Sequence, residues 1–409
     1  MLTVYRSLEA SSLTKNSSTK ISGIFAPFKF LNRDLRLIFA CNLVGSFGDG
    51  LYAYTLPKYL TGRLGANSVE LGILYAIMSL VAAITLFAAG MLADRYDRKK
   101  IMVAGWIAWI PAPIIFSIAT NWVHALPGML LWGFWLGGPT TTAYVVTSAD
   151  KSRLSSSFMV LSAAWSIGYI FSPGIGGYLS EVVSYEIVFY SAAILYALAA
   201  LILAFTSSQK AQRYKVENSR EDVLPLRRLI RFRRLLVFSA FFASVMFTLM
   251  LFRPFVPSFL SDIYNYQEFE IGVFGSISFF GSAVLGILLG KVGDRWKKAY
   301  ALAISLVLCS VSLVLLLLFG NFHILTLVFF LTGGSYMTWS LMSAIIGPSA
   351  PESSRARWVA IPQTVSMFVS VLAPYIGGFL YSISPYHPFI IAITASLLLA
   401  ALALWLLKE

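Results

Sequence analysis

Long hydrophobic stretches separated by short polar segments fill most of this chain of 409 residues. In the first half they lie at roughly 35–62, 70–93, 100–120, 123–148, 155–181 and 184–206. In the second half they lie at roughly 235–262, 269–293, 298–319, 323–347, 356–384 and 386–407. Each is long enough, at about 1.5 Å per helical residue, to cross about 30 Å of hydrocarbon. The pattern predicts an all-α membrane protein with twelve transmembrane helices, called spans one to twelve below.

The second half of the chain repeats landmarks of the first at a shift of about 200 residues. Pro57 in TLPKYL corresponds to Pro257 in FVPSFL, and SPGIGG at 172–177 corresponds to APYIGG at 373–378. Six spans return the chain to the side of the membrane on which it began. We therefore predict two parallel six-helix repeats, related by an axis normal to the membrane.

Polar segments divide the chain into four predicted parts. Residues 1–34 form a cytoplasmic tail, because they are rich in Ser and Thr and lack the apolar core of a cleavable secretory signal. Residues 35–206 form the first six-helix bundle and residues 235–409 form the second. Residues 207–234 carry clustered Arg and are predicted to be a cytoplasmic linker that contacts lipid headgroups.

The composition agrees with a membrane protein, since 58% of the residues are hydrophobic and 12% are charged, against about 25% charged in soluble domains. A net charge of +13 could suggest a nucleic-acid partner. If both termini are cytoplasmic, however, every Lys and Arg except Lys58, Arg63 and Arg253 falls on the inner side. This is the positive-inside rule. It predicts a multi-pass protein of the cell membrane with both termini cytoplasmic, anionic lipids as neighbours and no nucleic-acid partner.

The segment GMLADRYDRKK, between spans two and three, carries a recognisable motif. It resembles the major facilitator superfamily signature G-x-L-a-D-r-x-G-r-k at Gly90, Leu92, Ala93, Asp94, Arg95, Arg98 and Lys99. Asp97 stands where the family usually has Gly. The resemblance implies the major facilitator fold and a gating motif, in which Asp94 caps span eleven near Arg357 and Arg98 pairs with Asp150.

A weaker copy of this motif follows span eight, with Gly290, Asp294, Arg295 and Lys297. The resemblance implies that this copy makes the equivalent gating contact with the first half. Anions at helix N-termini are stabilising, so such contacts would hold the cytoplasmic side closed when the protein faces outward. The alternative is that these charges only fix the topology.

Span five contains a second pattern of small residues, formed by Gly168, Ser172, Pro173, Gly176 and Gly177. It resembles the antiporter motif of the same superfamily, g-x-x-x-G-P-x-x-G-G, with Ser172 in place of Gly, and the resemblance favours export. Small residues four apart let helix backbones approach closely. A packing role with no bearing on transport direction is the alternative. The Arg that drug and proton antiporters of this family usually carry in span four is missing here.

Two charged side chains lie inside predicted spans, Asp49 in span one and Arg253 in span seven. A charge inside a membrane costs free energy, so one that is kept there is a candidate functional residue. Because both spans line the central cavity in this architecture, we expect the two charges to face each other. Asp49 is predicted to accept the coupled proton or to bind a substrate charge, with Arg253 modulating it or binding an anionic group. The alternative is a fixed structural ion pair.

Polar and aromatic residues of the kinked or Gly-rich spans are candidates for the cavity wall. They are Asn42, Tyr52, Tyr54, Trp135, Thr141, Tyr144, Trp165, Tyr169, Tyr336, Trp339, Gln363 and Ser366. An aromatic, mostly neutral cavity with one acid suits amphipathic or cationic organic molecules better than phosphorylated ones, which need clustered Arg and Lys.

The sequence offers no enzyme-like site, because the three His are isolated and no nucleotide-binding loop is present. Neither a metal nor a cofactor is predicted, and Cys41 and Cys309 are expected to be buried thiols. The prediction is a monomeric secondary transporter that exports small, amphipathic, drug-like organic molecules by proton-coupled antiport. The alternatives are a proton symporter that imports a sugar, an organic acid or another metabolite, and a non-transporting receptor or scaffold.

Overall fold

The computed structural model of the chain describes residues 31–93, 95–210, 233–349 and 355–407. Within these ranges the chain is helical and contains no strand. Most of the predicted tail and of the predicted linker lies outside the described residues. Ten of the described helical segments are long and apolar enough to cross a membrane. The other two predicted spans, one and four, are each interrupted.

The spans of the first half have these bounds. Span one is Arg33–Ala53 and Leu56–Lys58, followed by a π-helical turn at Tyr59–Arg63; span two is Ser68–Ala93; span three is Arg98–Trp109 and Pro111–Ile118; span four is Trp122–Trp132 and Gly137–Ser148; span five is Leu154–Val182, after a 3-10 turn at Lys151–Arg153; and span six is Tyr185–Ala204.

The spans of the second half have these bounds. Span seven is Arg233–Phe252, a 3-10 turn at Arg253–Phe255 and Val256–Tyr264; span eight is Glu268–Arg295; span nine is Lys298–Leu318; span ten is Phe322–Thr332, a 3-10 turn at Gly333–Met337 and Thr338–Ser349; span eleven is Arg355–Ser370 and Leu372–Ile383; and span twelve is His387–Leu406.

The interruptions follow the predicted repeat. Span one breaks just before Pro57, and its counterpart, span seven, breaks at Pro254. Proline lacks the backbone N–H that would continue the helix ladder. Span four breaks ahead of Gly137, and its counterpart, span ten, breaks at Gly333–Met337. The described parts of both halves thus place irregular backbone in the same two spans, and Asp49 and Arg253 lie close to the breaks in spans one and seven.

Glycines bring the two halves into close contact through spans five and eight and through spans two and eleven. A Cβ on Gly177 would lie 2.3 Å from the carbonyl oxygen of Glu268, and one on Gly378 would lie 2.2 Å from that of Ser68. The two contacts occupy equivalent positions of the repeat. They lie at the ends of the spans away from Arg33 and Ser207.

The molecule therefore has two distinguishable faces. The terminal face carries Asp34 and Ser207, whose backbone N–H donates to the Asp34 carboxylate at 3.1 Å. The opposite face carries an ion pair across the halves, with 3.2 Å between Lys58 Nζ and Glu268 Oε2. Lys58 also donates to the carbonyl oxygen of Tyr266 at 3.1 Å. These contacts and the glycine contacts hold the halves together at the opposite face.

Candidate functional site

Asp49 lies in the interior of the first half, with 4% of its surface exposed. Three aromatic side chains from three other spans donate hydrogen bonds to its carboxylate. The indole N–H of Trp132 donates to Oδ1 at 2.7 Å, the hydroxyl of Tyr196 donates to Oδ1 at 2.5 Å, and the hydroxyl of Tyr169 donates to Oδ2. Three donors at two oxygens are the partners that an ionised carboxylate needs.

Tyr52 belongs to the same network rather than to a cavity wall. Its hydroxyl lies 2.9 Å from that of Tyr196. Because Tyr196 uses its proton on Asp49, Tyr52 is the donor in this second bond. Tyr52 is fully buried, and its ring packs against those of Trp132 and Phe189. The sequence-based expectation that Tyr52 lines the cavity is thus wrong in this conformation.

The small residues of span five pack on two sides. Toward span one, a Cβ on Gly168 would lie 2.0 Å from Ser46 Oγ, and one on Gly176 would lie 1.7 Å from the carbonyl oxygen of Leu51. Ser172 fits against Gly50 in the same seam, and its buried hydroxyl makes no hydrogen bond. This packing holds Tyr169 beside Asp49.

The other side of span five faces the second half. The carbonyl oxygen of Pro173 would lie 2.2 Å from a Cβ on Gly272, and Gly177 is in contact with Glu268. The close approach that small residues predict is therefore present twice, once within the first half and once between the halves. The helix continues through Pro173 to Val182.

Arg253 is not paired with Asp49. Its Nη2 donates to Ser335 Oγ at 2.9 Å, and its guanidinium lies 4.4 Å from the centre of the Tyr336 ring. Its Nε is buried and has no hydrogen-bond partner. Within the described residues, the ion pairs shown are Lys58 with Glu268 and Arg63 with Glu186, so the structure does not contain the fixed Asp49–Arg253 pair that was the alternative expectation.

Three neighbouring aromatic rings lie between Asp49 and Arg253. The ring centres of Tyr169 and Phe279 lie 4.4 Å apart, and those of Phe279 and Tyr336 lie 5.2 Å apart. Because Tyr169 donates to Asp49 and Tyr336 covers Arg253, the rings connect the two charged groups across the halves. We call Tyr169, Phe279 and Tyr336 the aromatic layer.

A cavity of about 580 Å³ lies among spans one, three, four and five of the first half, and Trp339 of the second half contributes to its wall. Trp165 on this wall packs against Tyr169 of the aromatic layer. Five sequence-predicted residues lie on its wall: Asn42, Trp135, Thr141, Trp165 and Trp339. Each wall residue sits in the middle of its span or in the part nearer the terminal face. The cavity is therefore on the terminal side of the layer, while the opposite side is closed.

The wall also contains aromatic residues that the sequence reasoning missed, above all Trp106 and Trp109 in span three. Their rings lie 5.3 Å apart, and Trp109 donates to the carbonyl oxygen of Phe134 at 2.8 Å. The spacing of three residues in WIAW was the available signal, because it places both indoles on neighbouring positions of one helix face.

Other predicted wall residues lie elsewhere. Tyr144 is buried and donates to Asp34 Oδ2 and to the carbonyl oxygen of Ser207, both at 2.8 Å, because it points away from the helix face that carries Thr141. Gln363 donates to Ser343 Oγ at 2.9 Å. The remaining ones, Tyr54, Tyr169, Tyr336 and Ser366, are also absent from the wall.

The gating motif is described in part. Asp94 and the side chain of Arg357 lie outside the described residues, so their expected contact stays a prediction. A Cβ on Gly90 would meet open space, and Arg95 is exposed. In the weaker copy, Asp294 and Arg295 are exposed at the end of span eight.

Arg98 reaches span four at Ala143 and Thr147, and its expected pair with Asp150 stays a prediction. Its Nη1 donates to the carbonyl oxygen of Ala143 at 3.1 Å, to Thr147 Oγ1 at 2.7 Å and to Gln209 Oε1 at 2.8 Å. The start of the linker segment thus supplies one acceptor for Arg98, the side-chain oxygen of Gln209.

Asp97, the departure from the family pattern, caps the helix of span three. It accepts from the backbone N–H of Lys99 at 3.0 Å, from the backbone N–H of Gln209 at 3.1 Å, and from the hydroxyl of Ser208. Partial burial opposes ionisation, but these hydrogen bonds outweigh it and hold the pKa of Asp97 below its ordinary value.

Comparisons with known proteins agree with this architecture. The family model described as Major Facilitator Superfamily matches residues 38–254 and 236–409. The quinolone resistance protein NorA of Staphylococcus aureus is 25% identical over 382 residues, covering 90% of this chain and 95% of NorA. Multidrug resistance protein 1 of Bacillus subtilis is 24% identical over 386 residues, covering 91% of this chain and 96% of that protein.

A solved structure of the nucleoside transporter NupG, in mutant form, superposes with a TM-score of 0.78 at 15% identity. The alignment covers 92% of this chain and 100% of that one, and it supports the fold alone. The family match extends over both halves of the chain. The chain belongs to the major facilitator superfamily and is a multi-pass membrane transporter.

Proposed function

We propose that this protein is a proton-coupled exporter of small amphipathic organic molecules. The observation that carries the proposal is the position of Asp49. The carboxylate is held by three aromatic donors, and one of them, Tyr169, also contacts Phe279 of the other half. A proton on Asp49 therefore acts on a contact between the two bundles.

The donors differ in how they respond to that proton. The indole N–H of Trp132 can only donate, whereas a tyrosine hydroxyl can donate or accept. A proton on Oδ2 needs an acceptor, and Tyr169 is the hydroxyl at that oxygen. Protonation thus reverses the Tyr169 hydrogen bond. The ionised carboxylate then no longer fixes the position of Tyr169 against Phe279 in the aromatic layer. This change couples proton binding to the rocking of the two halves.

The cavity supports the substrate class. Its wall contains Trp106, Trp109, Trp135, Trp165 and Trp339, together with the neutral polar residues Asn42 and Thr141. Indole faces bind planar apolar and cationic groups. The names of the relatives in Staphylococcus aureus and Bacillus subtilis, which refer to quinolone and multidrug resistance, fit the same class and favour export.

We further infer the orientation and the assembly. The terminal face is cytoplasmic, because nearly all Lys and Arg fall on it. The cavity then opens toward the cytoplasm, and both termini lie on the cytoplasmic side of the cell membrane. One chain contains both halves of the pathway, so a monomer is sufficient for transport. The protein is not an enzyme in this proposal.

The test uses proteoliposomes that contain a pH-sensitive dye, with a fluorescent quinolone and ethidium as probes. Export by exchange predicts proton movement opposite to the probe, and Asp49→Asn abolishes that movement. Asp262→Asn is the matched control, because Asp262 also accepts from a tyrosine, Tyr381, but at an exposed position. Co-movement of proton and probe would instead indicate a symporter, and undiminished coupling in Asp49→Asn would refute the assigned role.

A further inference from the structure

We propose that Arg253 is a binding site for a single negative charge, supplied by the carboxylate of a transported molecule or by free chloride. The inference rests on the proposed transport function, since it adds an anionic group to the substrate class. It concerns the second half of the molecule, whereas the proton is assigned to Asp49 in the first.

The first argument is the unmet hydrogen-bonding capacity of Arg253. A guanidinium has five N–H donors and no acceptor. The hydrogen bond shown for it is the one from Nη2 to Ser335 Oγ at 2.9 Å, while Nε is buried without a partner. No ion pair joins Arg253 to a carboxylate of the described residues. A half-buried guanidinium with a buried, unpartnered donor is costly, and an anion that accepts from that donor removes the cost.

The second argument is the shape of the surroundings. Arg253 begins the 3-10 turn that interrupts span seven, and Ser335 and Tyr336 lie in the 3-10 turn that interrupts span ten. Transporters commonly bind charged ligand groups at such interrupted helices. Tyr336 covers one face of the guanidinium, at 4.4 Å, and Ser335 fixes one of its nitrogen atoms. The side chain is held in place before any ligand arrives, and its planar donor pattern matches a carboxylate.

The third argument is that Arg253 and Asp49 lie close to the cavity, as the positions of their neighbours along the spans indicate. Trp339 on the cavity wall is one helical turn from Tyr336, and Trp165 on the wall is one turn from Tyr169. The two charged groups therefore lie just beyond the aromatic layer, Asp49 behind Tyr169 and Arg253 behind Tyr336. A molecule that displaces the layer meets both charges. The site then suits aromatic molecules that carry a carboxylate, including those that carry a cationic group as well.

The experiment measures binding to the purified full-length protein in detergent, without transport. The probes are benzoate, the neutral benzyl alcohol and chloride, each added to a zwitterionic buffer that contains neither chloride nor a carboxylate, and the readout is the midpoint of thermal unfolding. We expect benzoate to raise the midpoint and benzyl alcohol to leave it unchanged. Arg253→Gln should weaken benzoate binding by about tenfold to a hundredfold, as expected for the loss of a charge-assisted contact. The control Arg295→Gln removes an exposed Arg and should bind benzoate normally.

A second variant covers the case in which Arg253→Gln does not fold. Arg253→Lys keeps the charge but loses the planar donor pair, so benzoate should bind about tenfold more weakly while chloride binds almost as before. If chloride raises the midpoint by itself and displaces benzoate in the native protein, the anion site stands and chloride is its occupant. Equal effects of benzoate and benzyl alcohol, or undiminished benzoate binding in both Arg253 variants, would overturn the proposal. Failure of proton coupling in the vesicle assay would leave this result unaffected.

Discussion

The centre of the Tyr169 ring lies 4.4 Å from the centre of the Phe279 ring, and the two residues belong to opposite halves of the molecule. The hydroxyl of the same tyrosine donates to Asp49. One side chain therefore contacts both the buried acid and the other bundle. This arrangement gives the acid a direct mechanical connection to the motion that alternating access requires.

Removing the Tyr169 hydroxyl separates these two contacts. Tyr169→Phe keeps the ring beside Phe279 but takes away one of the three donors to Asp49. The ionised carboxylate becomes less stable, so we expect the pH midpoint of coupled transport to rise by about one unit, the size of a charge-assisted hydrogen bond. The measurement is the rate of transport in proteoliposomes as the pH is varied from about 5.5 to about 8.5. Tyr59→Phe is the control, because Tyr59 donates to the carbonyl oxygen of Phe116 at 2.6 Å and does not contact Asp49.

Enlarging Gly177 tests the closed contact at the opposite face. A Cβ there would lie 2.3 Å from the carbonyl oxygen of Glu268, so Gly177→Ala must push spans five and eight apart. Overpacking of this kind costs about 1–3 kcal/mol, and the cost falls only on the conformation closed at that face. We expect a cysteine introduced at Thr61 to react faster with a membrane-impermeant maleimide. Gly62→Ala is the control, because its Cβ would meet nothing within 4 Å; equal rates in both variants would contradict the assignment.

The Lys58–Glu268 ion pair should also favour closure of the opposite face. It joins span one to span eight, whereas the Arg63–Glu186 pair lies within the first half. Lys58→Gln therefore weakens a contact that exists only when the face is closed, and it should increase maleimide labelling at Thr61. Arg63→Gln should leave the labelling rate unchanged. The expected effect is at most about 1 kcal/mol, because the pair is only partly buried.

Asp97 gives a stability prediction that depends on pH. Its pKa is lowered in the folded protein, so its contribution is present above its unfolded pKa of about 3.9 and is lost as the pH falls through the folded value. Asp97→Asn should therefore lower the unfolding midpoint at pH 7, and its difference from the native protein should disappear on acidification below about pH 4. Asp294→Asn removes an exposed acid at the end of span eight and serves as the comparison. A deficit that stays constant with pH would show that the charge of Asp97 is not the cause.

The sequence was sufficient for the architecture. Hydropathy is a local property, so the spans and the repeat marked by Pro57 and Pro257 could be predicted without contacts. The interruption of span seven lies at Pro254 instead, which the sequence did not indicate. The same holds for Asp49 and Arg253, because a charge within a membrane span is conspicuous whatever surrounds it. The small residues of span five also indicated close helix packing, although not that Gly176 and Gly177 would face different neighbours.

Only the tertiary structure determined which residues are in contact. Trp132, Tyr169 and Tyr196 reach Asp49 from three different spans, and nothing in their local sequence distinguishes them from the other aromatic residues. The rotation of each helix about its axis decides whether a side chain faces the cavity, as the separate places of Thr141 and Tyr144 in one helix demonstrate. That rotation is fixed by packing between spans. A pattern read along one span therefore does not determine it.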